Sequence, residues 1–414
     1  MADDGAYVII GASLAGARAA EALRDAGFAG LVVLIGAESE HPYERPPLSK
    51  GYLMGKDARE KIYVHPSEWY PEHDIDLRLG TRVTAIDPAE HQVALADGSR
   101  VGYAKLLLAT GSSPRRLPVP GADLEGVLYL RTVGDSDRIK EAFRSASRVV
   151  VIGAGWIGLE VAAAGRTAGL EVTVLEAAEL PLLRVLGSEV AQVFADLHRE
   201  NGVDLRLGVQ VAELTGSGGA VDGVRLADGT RIEADAVIVG IGASPNTELA
   251  EAAGLEVDNG VRVDARLRAS GPDIYAAGDI ANAFHPLLGK HIRVEHWANA
   301  LNQPQTAARS MLGDANAVYD RLPYFYTDQF DLGMEYSGYV EPGGHERVVF
   351  RGVVAAREFI AFWLAADGRV LAGMNVNVWD VNEQVQNLVR AAVPVDLARL
   401  ADPAVPLEDL VKAG

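Results

Sequence analysis

A β-branched run, a glycine-rich turn and an alanine- and leucine-rich stretch follow one another twice in this chain. The first copy reads Val8-Ile9-Ile10-Gly11-Ala12-Ser13-Leu14-Ala15-Gly16, and the second Val149-Val150-Val151-Ile152-Gly153-Ala154-Gly155-Trp156-Ile157-Gly158. The run predicts a buried strand, the glycines a turn that backbone can approach closely, and the stretch a helix whose first N–H groups face the turn. That order cradles a pyrophosphate, so two copies predict two dinucleotides on one polypeptide. A flavin and a nicotinamide dinucleotide, FAD and NAD(P)H, are the pair that such a chain would combine. In the first copy Ser13 replaces the middle glycine, and its small side chain still permits a close approach.

The chain has 414 residues, 49% of them hydrophobic, enough for two or three domains that each bury a core. A formal net charge of −19 argues against nucleic acid or an anionic membrane surface as partner. There is no cysteine. Disulfide frameworks, thiolate-bound zinc and thiolate-bound iron–sulfur clusters are therefore excluded, as are flavoenzymes that pass electrons to an internal dithiol. No metal site is expected. The start, Met1-Ala2-Asp3-Asp4, lacks the cationic and then apolar layout of a signal peptide. No apolar run reaches membrane-spanning length, so a cytoplasmic location is expected.

Strand-like and helix-like runs alternate through the first two thirds, which predicts parallel sheets wound with helices. A helix is expected over Leu14 to Ala26, ended by Gly27, and a strand over Leu31 to Ile35. A further run covers Val101 to Thr110. After the second glycine motif come a helix from Trp156 to Ala168, a strand over Glu171 to Leu175 and another over Asp235 to Gly240. Ile274 to Asp279 is a glycine-closed strand. From about Tyr319 the pattern becomes that of an antiparallel sheet, with runs at Tyr324 to Val340, Glu346 to Phe350, Glu358 to Leu364 and Val370 to Val376, followed by helical stretches. The fold class predicted is α/β, with two Rossmann-like nucleotide-binding domains and a C-terminal α+β domain.

A carboxylate for the adenosine ribose is expected about 20 residues beyond the last glycine of such a motif. Glu38 and Glu176 stand at that spacing after Gly16 and Gly158. A carboxylate at Glu176 would repel a 2′-phosphate, and Ala177-Ala178-Glu179 supplies no basic residue beside it, although Arg184 lies nearby. NADH is therefore expected over NADPH.

Pro42-Tyr43-Glu44-Arg45-Pro46-Pro47-Leu48-Ser49-Lys50, Ala109-Thr110-Gly111, Gly153 to Glu160 and Ala277-Gly278-Asp279 together resemble the NADH-dependent ferredoxin and rubredoxin reductases. This is the group of the putidaredoxin reductases and the reductase components of aromatic-ring dioxygenases. The resemblance runs from about Tyr7 to Pro406-Leu407. It implies an FAD domain at 1–114 and 245–320, interrupted by an NAD domain at 115–244, with a C-terminal α+β interface domain at 321–414. It implies FAD contacts at Gly11, Ser13, Ala15, Gly16, Glu38, Arg45, Lys50, Val83, Thr110, Gly111, Arg131, Asp279 and Trp297. It implies NAD contacts at Gly153, Gly155, Trp156, Ile157, Gly158, Glu160, Glu176, Arg184 and Gly242. Asp279 would bind the FAD ribitol, or else cap a helix from Ile280. Arg45 and Arg131 would meet the FAD phosphates or the flavin edge. Trp156 would cover a flavin or nicotinamide face, with core packing as the alternative.

Lys50 and Glu160 would be the catalytic pair, approaching one another beside the flavin N5. A cation there stabilises arriving negative charge, and the carboxylate holds the lysine. Hydride transfer needs no general base, so catalysis would be positioning, with reacting atoms at roughly 3–3.5 Å. The partner implied is a [2Fe–2S] ferredoxin or a rubredoxin, serving a haem monooxygenase or ring-hydroxylating dioxygenase, and the protein would be a monomer or weak dimer. Tyr324-Phe325-Tyr326 resembles the aromatic segment between flavin and docked ferredoxin. A monodehydroascorbate-type reductase, which needs no cysteine, and an NADH-sensing flavoprotein like apoptosis-inducing factor remain open alternatives at this point.

Overall fold

Tyr7–Ile10 is the middle strand of a five-stranded sheet with the order Ile274–Ala276, Lys105–Leu108, Tyr7–Ile10, Val32–Ile35 and Ile75–Arg78. All four pairings are parallel. Val8, Ile9, Val32, Val33 and Leu34 are wholly buried, as a parallel sheet covered on both faces requires. The computed structural model describes residues 5–411 in two units. The first comprises the chain up to Arg45, Ala58–Ser113 and Ala243–Pro323; the second comprises Pro46–Asp57, Pro114–Gly242 and the chain from Tyr324 onward.

In the first unit, helix Leu14–Asp25 follows the central strand and buries Ala15, Ala17, Ala19, Ala20 and Leu23. Its small residues let it pack directly on helix Trp297–Met311. Gly27, with φ of +80°, reverses the chain into the next strand, a conformation that costs glycine little. The run expected over Val101 to Thr110 is two strands, Arg100–Gly102 in an antiparallel hairpin sheet and Lys105–Leu108 in the parallel sheet. Tyr103 and Ala104 turn between them, because the chain must leave one sheet to enter the other. After Asp279 the chain forms strand Ala281–His285 and not a helix, so Asp279 does not cap one.

The second unit repeats the theme around Arg148–Ile152. Its parallel sheet runs Asp204–Arg206, Glu171–Leu175, Arg148–Ile152, Ala236–Val239 and Val127–Tyr129. Helix Trp156–Thr167 follows the glycine turn and is buried on nearly all sides, from Gly158 through Gly165. The C-terminal part is a five-stranded antiparallel sheet in the order Tyr324–Gln329, Leu332–Gly338, Val370–Val376, Glu358–Leu364 and Arg347–Val353, with helix Asn382–Ala391 against it. The alternation over Tyr324 to Val340 is thus a hairpin, turned at Phe330, whose φ is +56°.

Leu183–Glu200, helical on either side of a kink at Gly187 (φ +75°), is pinned to this antiparallel sheet by two polar contacts. Trp363 Nε1 donates to the Leu186 carbonyl at 2.9 Å, and the fully buried His198 meets Gln329 Oε1 through Nε2 at 2.8 Å. Burial pushes the His198 pKa down to about 4 from an ordinary 6.5, against a partial lift from Gln329. Above pH 6.5 the imidazole is neutral whether folded or not. As pH falls from 6.5 to 4 the unfolded chain takes up a proton that the folded one refuses, and stability drops by about 1.4 kcal/mol per pH unit. Substituting His198→Gln keeps a donor toward Gln329 but removes the titration. The fall in thermal midpoint between pH 6.5 and 4.5 should be smaller in H198Q than in the parent, and equal falls would refute this account.

Candidate functional site

Both glycine turns are built on the same close approaches. Gly11 has φ of +114° and Gly153 of +101°. A Cβ at Gly11 would strike the Ala109 carbonyl, and one at Gly153 the Gly240 carbonyl, each on the neighbouring parallel strand's end. A Cβ at Gly16 would strike the Gly11 carbonyl, and one at Gly158 the Gly153 carbonyl. The first and third positions are therefore filled by the protein's own backbone. The middle position is not: nothing lies within 4 Å of where a Cβ on Gly155 would stand. This open step at the helix N-terminus is where a pyrophosphate can reach the N–H groups, and it explains why serine is tolerated at the equivalent Ser13.

The first unit gathers most residues expected to hold FAD. Ala15, one turn into its helix, lies 3.2 Å from where a Cβ on Gly278 would be. Asp279 follows, its Oδ2 accepting from Ser112 Oγ at 2.9 Å. Glu38 accepts from the Tyr43 hydroxyl at 2.5 Å and from Arg45 Nη2 at 3.1 Å. Burial disfavours the charge on Arg45, yet Tyr43, Glu38 and Asp279 together hold its pKa above the ordinary value. Thr110 and Gly111 clamp the returning chain. Thr110 Oγ1 donates to the Asn246 carbonyl at 3.1 Å, and Asn246 donates back through its side chain to the Thr110 carbonyl at 2.7 Å and through its backbone to the Gly111 carbonyl at 3.0 Å. Trp297 opens its helix and donates through Nε1 to Glu44 at 3.1 Å. Val83 is buried in the sheet core. His296 beside Trp297 is pushed down to about 4 by burial, Asp279 opposing, so it stays neutral at physiological pH.

The second unit holds the residues expected for NAD, together with Lys50 and Arg131. Glu176 ties the second turn together: its Oε2 accepts from Ala154 N at 2.7 Å and its Oε1 from Ala178 N at 2.9 Å. Each oxygen keeps a lone pair for a ribose hydroxyl. Ile157 is 47% exposed at the head of the buried helix, an apolar surface beside the turn. Gly242 and Arg184 are exposed, and Arg131 is half-buried just before the Thr132 cap. Trp156 packs within an aromatic cluster, its ring 5.5 Å from Phe194 and 4.8 Å from Phe325. Strand pleating separates the Tyr324-Phe325-Tyr326 aromatics. Phe325 points inward, whereas Tyr326 has its ring 5.4 Å from Lys50 Nζ.

Lys50 and Glu160, far apart in sequence, form an ion pair of 2.7 Å with side chains only 15% and 6% exposed. Ser49 Oγ donates to Glu160 Oε2, and Thr327 Oγ1 donates to Glu160 Oε1 at 2.5 Å. Neither Thr327 nor Gln329 behind it was singled out by sequence reasoning. The available signal was polar side chains at the inward positions of an otherwise apolar-in strand. A cleft of about 860 Å³ elsewhere in the first unit is lined by Lys105, Arg262, Arg266 and Arg268. It contains none of the expected site residues, and Lys105 and Arg268 are paired there with Asp273 and Asp264.

The sequence profile of the pyridine nucleotide-disulphide oxidoreductases matches residues 5–304, and one described as reductase C-terminal matches 324–411. The ferredoxin–NAD(+) reductase component of the anthranilate 1,2-dioxygenase system of Burkholderia cepacia is 42% identical over 97% of this chain and 98% of its own length. Putidaredoxin reductase of Pseudomonas putida is 40% identical over 98% and 96%. The chain belongs to the pyridine nucleotide-disulphide oxidoreductase family, among its ferredoxin reductases. The solved structure of a covalent putidaredoxin reductase–putidaredoxin complex aligns with a TM-score of 0.94 at 40% identity, covering 99% of both chains. Among the described residues no helix is long and apolar enough to cross a membrane, and no cluster suits a metal.

If the second turn takes the nicotinamide dinucleotide, a carboxylate at Glu176 would repel a 2′-phosphate. Replacing Glu176→Gln should keep the contact to Ala154 N while removing the charge that repels a 2′-phosphate. The ratio of NADH to NADPH efficiency in stopped-flow flavin reduction should fall about tenfold, equivalent to about 1.4 kcal/mol. Equal efficiencies for the two dinucleotides in the parent protein would sink the argument.

Proposed function

We infer that this chain is an NADH-dependent ferredoxin reductase that takes electron pairs from NADH through FAD and delivers them singly to a small iron–sulfur protein. The observation that carries the reading is the pair of glycine turns built on the same close approaches, in a chain without cysteine. Two dinucleotides can bind, and no internal dithiol exists to receive the electrons. The full-length likeness to reductase components of oxygenase systems supports a [2Fe–2S] ferredoxin, or a rubredoxin, as acceptor. A haem monooxygenase or ring-hydroxylating dioxygenase would stand downstream, and the cytoplasm, where NADH is supplied, would be the location.

The proposed division is FAD on 1–114 with 245–320, NADH on 115–244, and the acceptor served by 321–414. Bound FAD would supply the ability to accept one hydride and release its two electrons one at a time. The rest is the work of this chain's side chains and backbone. The N–H groups at the two turns bind the pyrophosphates, and Glu38 and Glu176 accept from ribose hydroxyls. Asp279, held by Ser112, is a carboxylate suited to the ribitol hydroxyls. Lys50 provides fixed positive charge, and Glu160 holds its Nζ so that none of that charge must reorganise as negative charge arrives. Hydride transfer itself needs no side-chain base, which fits neutral His296, and the proton left once both electrons have gone to the acceptor is released to solvent.

The purified protein loaded with FAD should reduce a [2Fe–2S] ferredoxin over many turnovers at the expense of NADH. A yellow protein that oxidises NADH but never reduces a ferredoxin or rubredoxin would overturn the assignment. Substituting Lys50→Gln should slow the limiting rate of flavin reduction about 10²-fold with FAD still bound.

A further inference from the structure

A buried carboxylate paired with a lysine still has lone pairs to satisfy, and its ion pair offsets desolvation only where the geometry is held. At Glu160 the remaining donors are Ser49 on one oxygen and Thr327 on the other. Ser49 adjoins Lys50 in sequence. Thr327 is remote, and its hydroxyl has one proton to give. Whether that proton faces Glu160 depends on what lies on the other side of the oxygen.

There stands Gln329, two residues along the same strand and on the same inward face. Its Nε2 lies 3.3 Å from Thr327 Oγ1. An amide nitrogen can only donate, so the threonine oxygen accepts and its proton is turned toward Glu160. The Gln329 amide is itself held by His198, whose Nε2 is 2.8 Å from Oε1. A reversed amide would set donor against donor. His198 is wholly buried and neutral, pushed down to about 4 by burial, so it carries a single proton, and placing it on Nε2 avoids an orphaned buried donor at Nδ1. Its Nδ1 has no hydrogen-bond partner among the described residues, as expected of the bare nitrogen of that tautomer. Every donor in the series His198, Gln329, Thr327 therefore points the same way, toward Glu160 Oε1, which also receives Lys50 Nζ. Aligned donors polarise one another and stiffen the chain of bonds.

We propose that Thr327 is a positioning residue for hydride transfer, fixing the Glu160 carboxylate and through it the Lys50 ammonium, and that Gln329 and His198 set the direction of its hydroxyl. This rests on the reading of Lys50 and Glu160 as the charged pair serving NADH-dependent flavin reduction. The line of bonds joins helix Trp156–Thr167, strand Tyr324–Gln329 and helix Leu183–Glu200, so the C-terminal sheet takes part in hydride transfer as well as in electron delivery.

The test is anaerobic stopped-flow bleaching of FAD by NADH in the FAD-loaded full chain. Thr327→Val keeps the shape and removes the hydroxyl. It should lower the limiting rate about tenfold while leaving the apparent Kd for NADH within about twofold. Thr327→Ser restores the donor and should recover the rate. Gln329→Leu, which frees the hydroxyl to rotate, should give a smaller loss in the limiting rate. A parent rate in T327V, equal losses in T327V and T327S, or a loss lying wholly in Kd would each overturn the proposal. If T327V fails to retain FAD, Q329L decides alone: a lower limiting rate supports the inference and an unchanged one ends it. A parent protein whose flavin NADH cannot reduce would instead defeat the functional reading on which the inference rests.

Discussion

A carboxylate cannot stay charged inside a helix buried on nearly every side unless other parts of the chain come to it. Glu160 sits in such a helix, 6% exposed. Its partners are Lys50, Ser49 and Thr327, drawn from the loop before the first long excursion of the chain and from the first strand of the C-terminal sheet. Losing any partner would leave charge or lone pairs unmatched in a low-dielectric setting, where the penalty is several times that at a surface. The second unit is therefore organised around this charge. Segment Pro46–Asp57 belongs to it for the same reason: Tyr52 donates to Asp137 at 2.6 Å, Ser136 donates to the Leu48 carbonyl at 2.8 Å, and Lys50 reaches Glu160.

The two glycine turns show how one backbone solution serves different needs. In both, first and third glycines are consumed by contact between strand end, turn and helix, and in the second the middle position, Gly155, faces open space. Ser13 occupies that place in one copy and Gly155 in the other. The acidic residue after each turn is used differently. Glu38 is bound by Tyr43 and Arg45, a side-chain cage, whereas Glu176 is bound by two backbone N–H groups of its own neighbourhood. The carboxylate of Glu176 is thus held by backbone N–H groups and not by a side-chain cation, and the Ala177-Ala178-Glu179 segment after it is non-basic. Family membership brings a name built on disulphide chemistry, yet the chain has no cysteine, so no internal dithiol can receive electrons here.

Much of the framework was legible from residue order because it depends on local periodicity. Buried β-branched runs, alanine-rich helices and glycine breaks each act within a few residues, so Leu14–Asp25, Glu171–Leu175, Glu358–Leu364 and Val370–Val376 lie where the pattern places them. Errors arose where one apolar run served two sheets, as at Val101 to Thr110, or folded back, as at Tyr324 to Val340. Hydropathy does not record which sheet a residue joins. The glycines of the two turns are local for the same reason: a turn carries its own glycines.

The sequence by itself determined two dinucleotide turns, the acids that follow them, the lack of a thiol and the identity of Lys50 and Glu160 as residues to watch. Only the tertiary structure decided that Thr327, Gln329 and His198 stand in line behind that pair, and that Phe325 turns inward while Tyr326 faces the lysine. A hydrogen bond needs its atoms placed within a few tenths of an ångström and its proton aimed correctly. Between residues so distant in sequence, that placement comes from how whole helices and strands pack, which no short stretch of sequence encodes.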